Sequence, residues 1–361
     1  MAITDIKKLK DILELEITSS SNVFIVTHNN PDFDAIGSSI GLARLCEYYD
    51  KKAYIIVDDL VNGLQSGVKK LIDENKNEYK FIKKKDINKY RDDNSILLVT
   101  DVNKDNMISI GNRLGEFKNI IIIDHHSENE HTIITNNKFI NMEVSSASEV
   151  VARILTGLKV KYDSKVAEAL LSGICLDTKR FKQNTTSKTH DIAEKLIKNG
   201  AEIDSINNLF LEEFESFCRI SNLIINGTII QKYSEDLFAP IQVSFTLNRN
   251  APKTIYRTED YAKAADQMMT FYGIDASFAL GYIDDKEIHI SARGNKKVDV
   301  SRIMDAMGGG GNPGCAGCKI ESDDILKIEE ELKNKIVLGI SSEENIFTEP
   351  KVIKVKRLKK Y

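Results

Sequence analysis

The chain has 361 residues, a length typical of two domains that each bury a core. Its net charge of -4 argues against a general nucleic-acid-coating protein but allows a small nucleotide in a local basic pocket. The 5 cysteines are few and odd in number, and no apolar run reaches membrane-span length. We therefore expect a cytoplasmic protein, or the cytosolic part of a membrane-anchored parent.

The first half of the chain alternates predicted strands and helices. Apolar runs predict strands at Val23–Thr27, Ala53–Val57, Tyr79–Ile82, Ile96–Thr100 and Ile120–Ile123. Helical spacing predicts helices at Asp5–Leu15, at Ala35–Tyr49 and near Met107–Leu114. Alternation of this kind is typical of an α/β fold with a doubly wound, mostly parallel sheet.

From Ser145 onward the pattern becomes helical, and Ile203–Ile225 is predicted as a helix that bridges two domains. Strand-like and helical segments alternate again after Gly227, which predicts a smaller α/β domain. The predicted boundaries are 1–200 for the first domain, 201–226 for the helical linker, 227–340 for the second domain and 341–361 for a basic tail.

Polar, metal-capable side chains follow three of the predicted strands. His28 follows the first strand, with Asp32 and Asp34 shortly after it, and Asp101 follows the strand Ile96–Thr100. The strand Ile120–Ile123 ends in Asp124, His125 and His126. Because open parallel sheets bind ligands beyond the carboxyl ends of their strands, we expect a candidate catalytic centre there.

Carboxylates combined with some imidazoles suit Mn²⁺ or Mg²⁺. Two ions that share one carboxylate are the arrangement used for in-line phosphoryl displacement, and Asp101 is the natural bridge. Asp124 and His126 are then expected to orient His125 and a water molecule. Each residue taken alone also fits an ordinary cap or turn residue. The predicted ligands are His28, Asp32, Asp34, Asp101, His125 and, at a helix end, Asp177.

Four ordered motifs resemble those of the DHH phosphoesterase superfamily. They are His28-x-x-Pro31-Asp32-x-Asp34, then Asp101, then Asp124-His125-His126, then Asp177-Thr178. The glycine run Gly308–Gly311, with Pro313 and Ala316-Gly317, resembles the DHHA1 substrate-binding domain. The resemblance implies that the predicted ligands hold two Mn²⁺ ions, with Mg²⁺ or Co²⁺ as alternatives. It also implies phosphodiester hydrolysis by metal-activated hydroxide, with His126, Asp124 and Asp101 as the catalytic residues.

Within the superfamily, several segments resemble the catalytic part of GdpP-like cyclic-di-AMP phosphodiesterases. These are Ala35–Leu42, Ser145–Glu149, Ile290–Arg293 and the glycine loop after Ile303-Met304. We therefore expect hydrolysis of cyclic di-AMP to linear pApA. The alternatives are an NrnA-like hydrolase of pApA or short RNA, and a nucleotide-binding sensor that has lost turnover. The expected partner is a cyclic dinucleotide or short linear oligonucleotide rather than a long nucleic acid, and a homodimer remains open.

The four glycines have a physical reason to bind phosphate, because adjacent backbone N–H groups can form an anion-binding nest. A plain flexible turn is the alternative. Arg293 is predicted to add a bidentate phosphate contact, and Ser291 and Asn312 to add neutral hydrogen bonds. The predicted substrate-binding set is Ser291, Arg293, Gly308, Gly309, Gly310, Gly311 and Asn312. The superfamily usually has His at position 312, so we expect altered affinity or turnover, which Asn312→His would test.

Overall fold

The computed structural model describes residues 5–57, 64–232, 241–247, 256–339 and 351–353. The chain forms two compact units, Met1–Leu211 and Glu212–Tyr361. Most of the predicted tail 341–361 lies outside the described residues. Among the helices of the described ranges, none has the length and apolar character that crossing a bilayer requires.

Within the described residues, the first unit is built on a parallel sheet of six strands in the order β3-β2-β1-β4-β5-β6. The chain forms β1, β2 and β3 on one side and then crosses back to β4 beside β1, so the order reverses between β1 and β4. Ligand sites of open α/β sheets lie at such a reversal. The strands are β1 (Val23–Val26), β2 (Ala53–Ile56), β3 (Lys80–Ile82), β4 (Ile96–Thr100), β5 (Asn119–Asp124) and β6 (Asn137–Ile140).

Helices cover one face of this sheet, where Ile25, Leu98 and Ile123 belong to the larger hydrophobic core. They form because apolar residues recur at three- and four-residue spacing, as with the buried Leu9, Leu13 and Ile17 of α1. The helices of the first unit are α1 (Ile6–Ser19), α2 (Phe33–Tyr48), α3 (Ser66–Asn75), α4 (Ala147–Gly157), α5 (Ser164–Asp177), α6 (Ser187–Lys198) and α7 (Ile203–Leu209).

The opposite face of the sheet is covered by irregular segments and short 3₁₀ helices at Lys84–Lys89 and Gly111–Glu116. The predicted helix near Met107–Leu114 is therefore wrong. Its apolar residues do bury, since Ile108 and Ile110 lie in this second core, but Ile108 instead forms an isolated β-bridge with His28. Packing against the sheet has overridden the local helical spacing.

The second unit contains a mixed sheet in the order β11-β12-β10-β9-β8-β7-β13 among its described residues. The structure thus confirms the predicted α/β class, with a six-stranded parallel sheet followed by a second, mixed sheet. The elements are α8 (Phe214–Ile225), β7 (Thr228–Lys232), β8 (Ile241–Leu247), α9 (Thr258–Met268), β9 (Ala276–Tyr282), β10 (Glu287–Gly294), α10 (Val300–Asp305), β11 (Gly310–Asn312), β12 (Cys315–Glu321), α11 (Ile325–Gly339) and β13 (Lys351–Ile353).

The segment predicted as helical over Ile203–Ile225 contains two helices, α7 and α8, with residues 210–213 between them. The first helix belongs to the first unit and the second helix to the second unit. Apolar spacing continues through both, which is why the sequence pattern does not reveal the break.

Candidate metal centre

The six predicted ligands lie at the carboxyl end of the parallel sheet, beside the point where the strand order reverses. His28 follows β1, Asp101 follows β4 and His125 follows β5. Asp32 and Asp34 come from the start of α2, and Asp177 is the last residue of α5. Side chains that are up to 149 positions apart in the sequence are therefore brought together in one cluster.

Asp101 is the centre of this cluster. It belongs to each of three groups whose ligand atoms lie within 4.8 Å of one another: His28 with Asp32, Asp34 with His125 and Asp177, and Asp124 with His125 and His126. Its Oδ2 is 3.5 Å from His28 Nε2, and its Oδ1 is 3.4 Å from His125 Nε2. One carboxylate thus faces two sets of ligands with its two oxygens, as a bridging ligand must.

The backbone of Asp101 is left-handed, with φ of 59°. Non-glycine residues rarely adopt this conformation, and it costs about 1–2 kcal/mol. The amide N–H of Asp101 donates to the carbonyl of Ile123 at 3.0 Å, which ties the strained residue to β5. Strain of this kind persists where neighbouring structure enforces it, and it concentrates at functional sites.

Asp34 and Asp32 are held by helix N-termini. Asp34 is fully buried, and its two oxygens accept the N–H groups of Ala147 at 2.7 Å and Ser148 at 2.8 Å, in the first turn of α4. Asp32 is the N-cap of α2, where its Oδ1 accepts from the N–H groups of Asp34 and Ala35. These N–H groups carry the positive end of a helix dipole, so they stabilise carboxylates close to other carboxylates.

The donor set fits divalent metal ions. Among the buried side-chain atoms of the described structure that have no hydrogen-bond partner, four belong to this cluster, namely Asp101 Oδ1, Asp124 Oδ2, His125 Nε2 and Asp177 Oδ2. Leaving buried polar atoms unpaired is costly unless a ligand completes the site. His125 Nε2 also lies 3.3 Å from Asp177 Oδ2 and 3.8 Å from Asp34 Oδ2. Carboxylates and imidazoles converging in this way are the ligands of Mn²⁺ and Mg²⁺.

Without an ion the cluster retains protons instead. Burial, together with the charge of the neighbouring Asp101, raises the pKa of Asp32 to about 6. Burial and the carboxylates of Asp101 and Asp177 place the pKa of Asp34 well above its usual range. For His28, burial lowers the pKa, but the hydrogen bond and charge of Asp101 outweigh it and raise the pKa to about 9. A divalent ion would take the place of these protons.

We expect the metal-free protein to lose stability as the pH rises from 7 to 9. A histidine whose pKa is higher in the folded than in the unfolded protein stabilises the folded state fully below pH 6.5. For His28 this stabilisation is lost as the pH rises through its pKa in the folded protein, which is about 9. Thermal melts should show a fall of roughly several degrees in metal-free protein. Saturating Mn²⁺ should remove this dependence of the melting temperature on pH, because the ion displaces the protons. An unchanged melting temperature in metal-free protein would contradict this assignment.

Asp124 fixes His126. The Nδ1–H of His126 donates to Asp124 Oδ1 at 2.8 Å, and the same oxygen accepts the backbone N–H of His125 at 2.8 Å. This bond occupies Nδ1 of the half-exposed His126 ring, so a contact of the ring with a substrate would come from Nε2. Burial lowers the pKa of His126, but Asp124 outweighs that effect and raises it. Asn103, which the sequence analysis did not identify, donates to the carbonyl of His126 at 3.0 Å.

Glu149 has a positioning role that the sequence analysis missed. Its buried Oε2 accepts from Ser145 N at 3.0 Å, Ser145 Oγ at 2.6 Å and Thr189 Oγ1 at 2.9 Å. These bonds hold the start of α4, whose N–H groups bind Asp34. The pattern Ser-x-x-Glu at Ser146–Glu149 resembles a capping box, which is the signal that could have revealed the role.

Glu149→Gln should lower the affinity for Mn²⁺ by roughly tenfold or more, the usual effect of losing a group that orients a ligand. Isothermal titration calorimetry measures it directly. Glu143→Gln, an exposed change just before the same helix, is the matched control and should bind Mn²⁺ like the wild type. Equal affinity in the two variants would contradict the positioning role.

The predicted substrate-binding residues lie on adjacent strands of the second unit. In the pairing of β10 with β12, Ser291 lies opposite Gly317 and Arg293 lies opposite Cys315. In the pairing of β12 with β11, Gly317 lies opposite Gly310 and Cys315 lies opposite Asn312. Ser291 is buried and its Oγ lies 3.0 Å from His289 Nε2. Arg293 already forms a two-point ion pair with Asp266, at 3.1 and 3.0 Å.

The glycine run is not a free loop. Gly308 has a φ of 81° and, with Gly309, donates its N–H to carbonyls of α10, while Gly310 and Gly311 begin β11. Asn312 Oδ1 accepts from Gly314 N at 3.1 Å and Cys315 N at 2.9 Å, so it stabilises the turn to β12. Any phosphate contact from this segment would therefore come from a hairpin.

The CxxC spacing of Cys315 and Cys318 does not form a metal or redox pair. Both residues lie on β12, where positions three apart point to opposite faces of the sheet. Cys315 is exposed and Cys318 is buried in the core.

Two family models match this chain. The DHH family N-terminal domain matches residues 22–174, and the DHHA1 domain matches residues 241–338. The chain therefore belongs to the DHH/DHHA1 phosphoesterase family, as its motifs predicted.

Curated relatives include the cyclic-di-AMP phosphodiesterase GdpP of Bacillus subtilis, 29% identical over 89% of this chain and 48% of that protein. The chain thus spans about half the length of that relative. The bifunctional oligoribonuclease and PAP phosphatase NrnA of Thermus thermophilus is 23% identical over 88% of this chain and 90% of that protein.

Among solved structures, an exopolyphosphatase-related protein from Bacteroides fragilis superposes with a TM-score of 0.73. It is 20% identical and covers 92% of this chain and 97% of its own. At this identity the likeness concerns the fold.

Proposed function

We propose that this chain is a Mn²⁺-dependent phosphodiesterase that hydrolyses cyclic di-AMP to linear pApA. The observation that carries the proposal is Asp101, which faces two sets of predicted ligands with its two carboxylate oxygens. A pair of ions sharing a carboxylate is the arrangement suited to phosphoryl displacement. The likeness to GdpP over most of this chain supports the choice of substrate.

Bound divalent ions would activate water at neutral pH and neutralise charge on the phosphate. His28, Asp32, Asp34, Asp101, His125 and Asp177 would hold them. The protein's own contribution to the reaction then comes from His126, whose Nε2 would donate to an oxygen of the scissile phosphate. Asp124 keeps that ring in the correct orientation and favours its protonated form, which stabilises developing negative charge.

The second unit carries the predicted substrate-binding residues. Arg293 donates to Asp266 from Nε and Nη2 and to the carbonyl of Ala292 from Nη1, so a phosphate would take the second N–H of Nη1 or Nη2. Ser291 and Asn312 would donate or accept neutral hydrogen bonds, and the backbone of Gly308–Gly311 would approach the phosphate closely, because no Cβ intervenes.

A second candidate function is hydrolysis of pApA or short RNA to mononucleotides. It is favoured by the match to NrnA, which extends over 90% of that relative. A nucleotide-binding sensor without turnover is the rival of another class. The complete set of converging ligands argues against the sensor.

The test is a parallel assay of cyclic di-AMP and pApA with Mn²⁺, in which the products are separated by chromatography. We expect cyclic di-AMP to be consumed and pApA to accumulate. Rapid conversion of pApA to AMP with slow opening of the cyclic substrate would favour the second candidate. Nucleotide binding without any cleavage would favour the sensor and refute an enzymatic role.

A further inference from the structure

The residues after Asp177 and Thr178 form a strained left-handed turn. Lys179, Arg180 and Phe181 have φ values of 45°, 59° and 62°, and none of them is glycine. Side chains with a Cβ rarely adopt this region, and three in succession are rarer still. Such strain persists only where neighbouring interactions enforce it, and it is found preferentially at functional sites.

The turn is tied to the end of the helix that carries Asp177. The buried Thr178 accepts the N–H of Phe181 on its hydroxyl at 2.9 Å and the N–H of Lys182 on its carbonyl at 2.8 Å. The N–H of Arg180 donates to the carbonyl of Cys175 in α5 at 2.7 Å. The position of Arg180 is therefore fixed relative to the predicted metal ligand.

The guanidinium of Arg180 is oriented by an aromatic ring. Its Cζ lies 5.3 Å from the ring centroid of Phe210, which itself packs on Phe33 at 4.5 Å, between the predicted ligands Asp32 and Asp34. A guanidinium held by its face on a ring keeps its N–H edge free for two oxygens of an anion such as phosphate.

Arg180 also differs from other arginines of this chain. Arg219 and Arg293 each pair with a carboxylate, whereas Arg180 is exposed and forms no ion pair with the residues that the structure describes. Its Cα is three peptide units from that of Asp177, at most about 11 Å away. An oriented cation without an anionic partner lies beside the acidic metal centre.

We infer that Arg180 binds the phosphate of a dinucleotide that is not being cleaved, and so selects substrates with a second phosphate. This inference rests on the proposed phosphodiesterase function and concerns the same site. Ions held by the predicted ligands would neutralise the scissile phosphate, whereas a second phosphate would need a cation from the protein. A planar guanidinium matches phosphate oxygens with two hydrogen bonds.

The probe pair is pApA and ApA, which differ only in the terminal phosphate. With Arg180→Gln and Mn²⁺, the KM for pApA should rise roughly tenfold or more, the usual effect of losing a charge-assisted bond. The kcat for pApA and both constants for ApA should stay within about twofold of the wild type. Arg302→Gln, an exposed arginine of α10, is the control and should leave all four constants unchanged.

Two substitutions of Phe210 distinguish a role of Arg180 in phosphate recognition from a general loss of structure. Phe210→Tyr keeps the stacking and should behave like the wild type, whereas Phe210→Leu should raise the KM for pApA in part, without affecting ApA. An equal rise in KM for pApA and ApA in Arg180→Gln, or no rise in KM for either compound, would overturn the inference.

A binding measurement distinguishes this inference from the proposed function. Calorimetry with Ca²⁺ compares pApA and ApA in the wild type and in Arg180→Gln. Tighter binding of pApA that the substitution abolishes supports the role of Arg180 even if the wild type hydrolyses neither compound. The absence of hydrolysis would refute only the proposed function and not the role of Arg180. Equal affinity of pApA and ApA for the wild type, or no binding of pApA, would overturn the role of Arg180.

Discussion

Asp101→Ala should reduce phosphodiesterase turnover by roughly three orders of magnitude. The side chain lies in all three ligand groups, so its loss should remove a bridge rather than a single ligand. Metal ions contribute several kcal/mol of transition-state stabilisation, and each 1.36 kcal/mol changes the rate tenfold. Steady-state kinetics at saturating Mn²⁺ with the preferred dinucleotide measures the effect.

Asp105→Asn is the control for the loss of a nearby carboxylate. Asp105 is exposed and its carboxylate faces His131 at 3.4 Å, outside the predicted ligand set. Its kcat should equal that of the wild type. If Asp101→Ala retained more than about a tenth of the wild-type kcat, less than about 1.36 kcal/mol of transition-state stabilisation would depend on Asp101. That result would contradict its role as a bridging ligand.

Gly173→Ala should disrupt both packing and metal binding. A Cβ at this position of α5 would lie 2.3 Å from Ser148 Oγ and 2.7 Å from Asp34 Oδ1. These atoms belong to the hydrogen-bonded contact that orients Asp34, so the methyl group must displace it. Overpacking of a tight core typically costs about 1–3 kcal/mol. We expect a lower free energy of unfolding in urea and a loss of Mn²⁺ affinity.

Gly157→Ala provides the matched change in the same unit. A Cβ there has no neighbouring atom within 4 Å, and the residue is the last of α4. It should leave Mn²⁺ affinity unchanged and should not destabilise the protein. If the two variants were equally stable and bound Mn²⁺ equally well, the tight contact between α5 and Asp34 would have no role in the site.

The candidate ligands that the structure brings together each have a local signal in the sequence. His28, Asp101 and His125 follow apolar strands, and the parallel sheet brings the ends of those strands together. Asp32 and Asp34 stand at the start of a helix whose glycines and serines are visible in the sequence. The same logic predicted the mixed α/β class of both units.

Tertiary contacts explain what the sequence did not reveal. The apolar residues near Ile108 have helical spacing, yet they bury as irregular structure because the second face of the sheet lacks other cover. Asp34 receives N–H groups from Ala147 and Ser148, 113 and 114 positions away, and no local pattern encodes that contact. The role of Glu149 follows from the same long-range bond.

The glycine segment shows a further limit. Its composition predicts an anion-binding nest or, alternatively, a plain flexible turn, whereas Gly310–Asn312 pairs with Cys315–Gly317 as a hairpin. Cross-strand pairing depends on a partner strand whose alternation of Cys, Ala, Gly and Cys is too weak to predict. The function of Asn312 as the acceptor that closes this turn likewise becomes visible only in the structure.

The number of Mn²⁺ ions bound per chain tests the central claim most directly. Metal-free protein is titrated with Mn²⁺ by calorimetry, and the bound metal is then quantified by elemental analysis after gel filtration. The account predicts two ions per chain in the wild type and at most one in Asp101→Ala. A wild-type protein that binds one ion or none, with all six side chains intact, would contradict it.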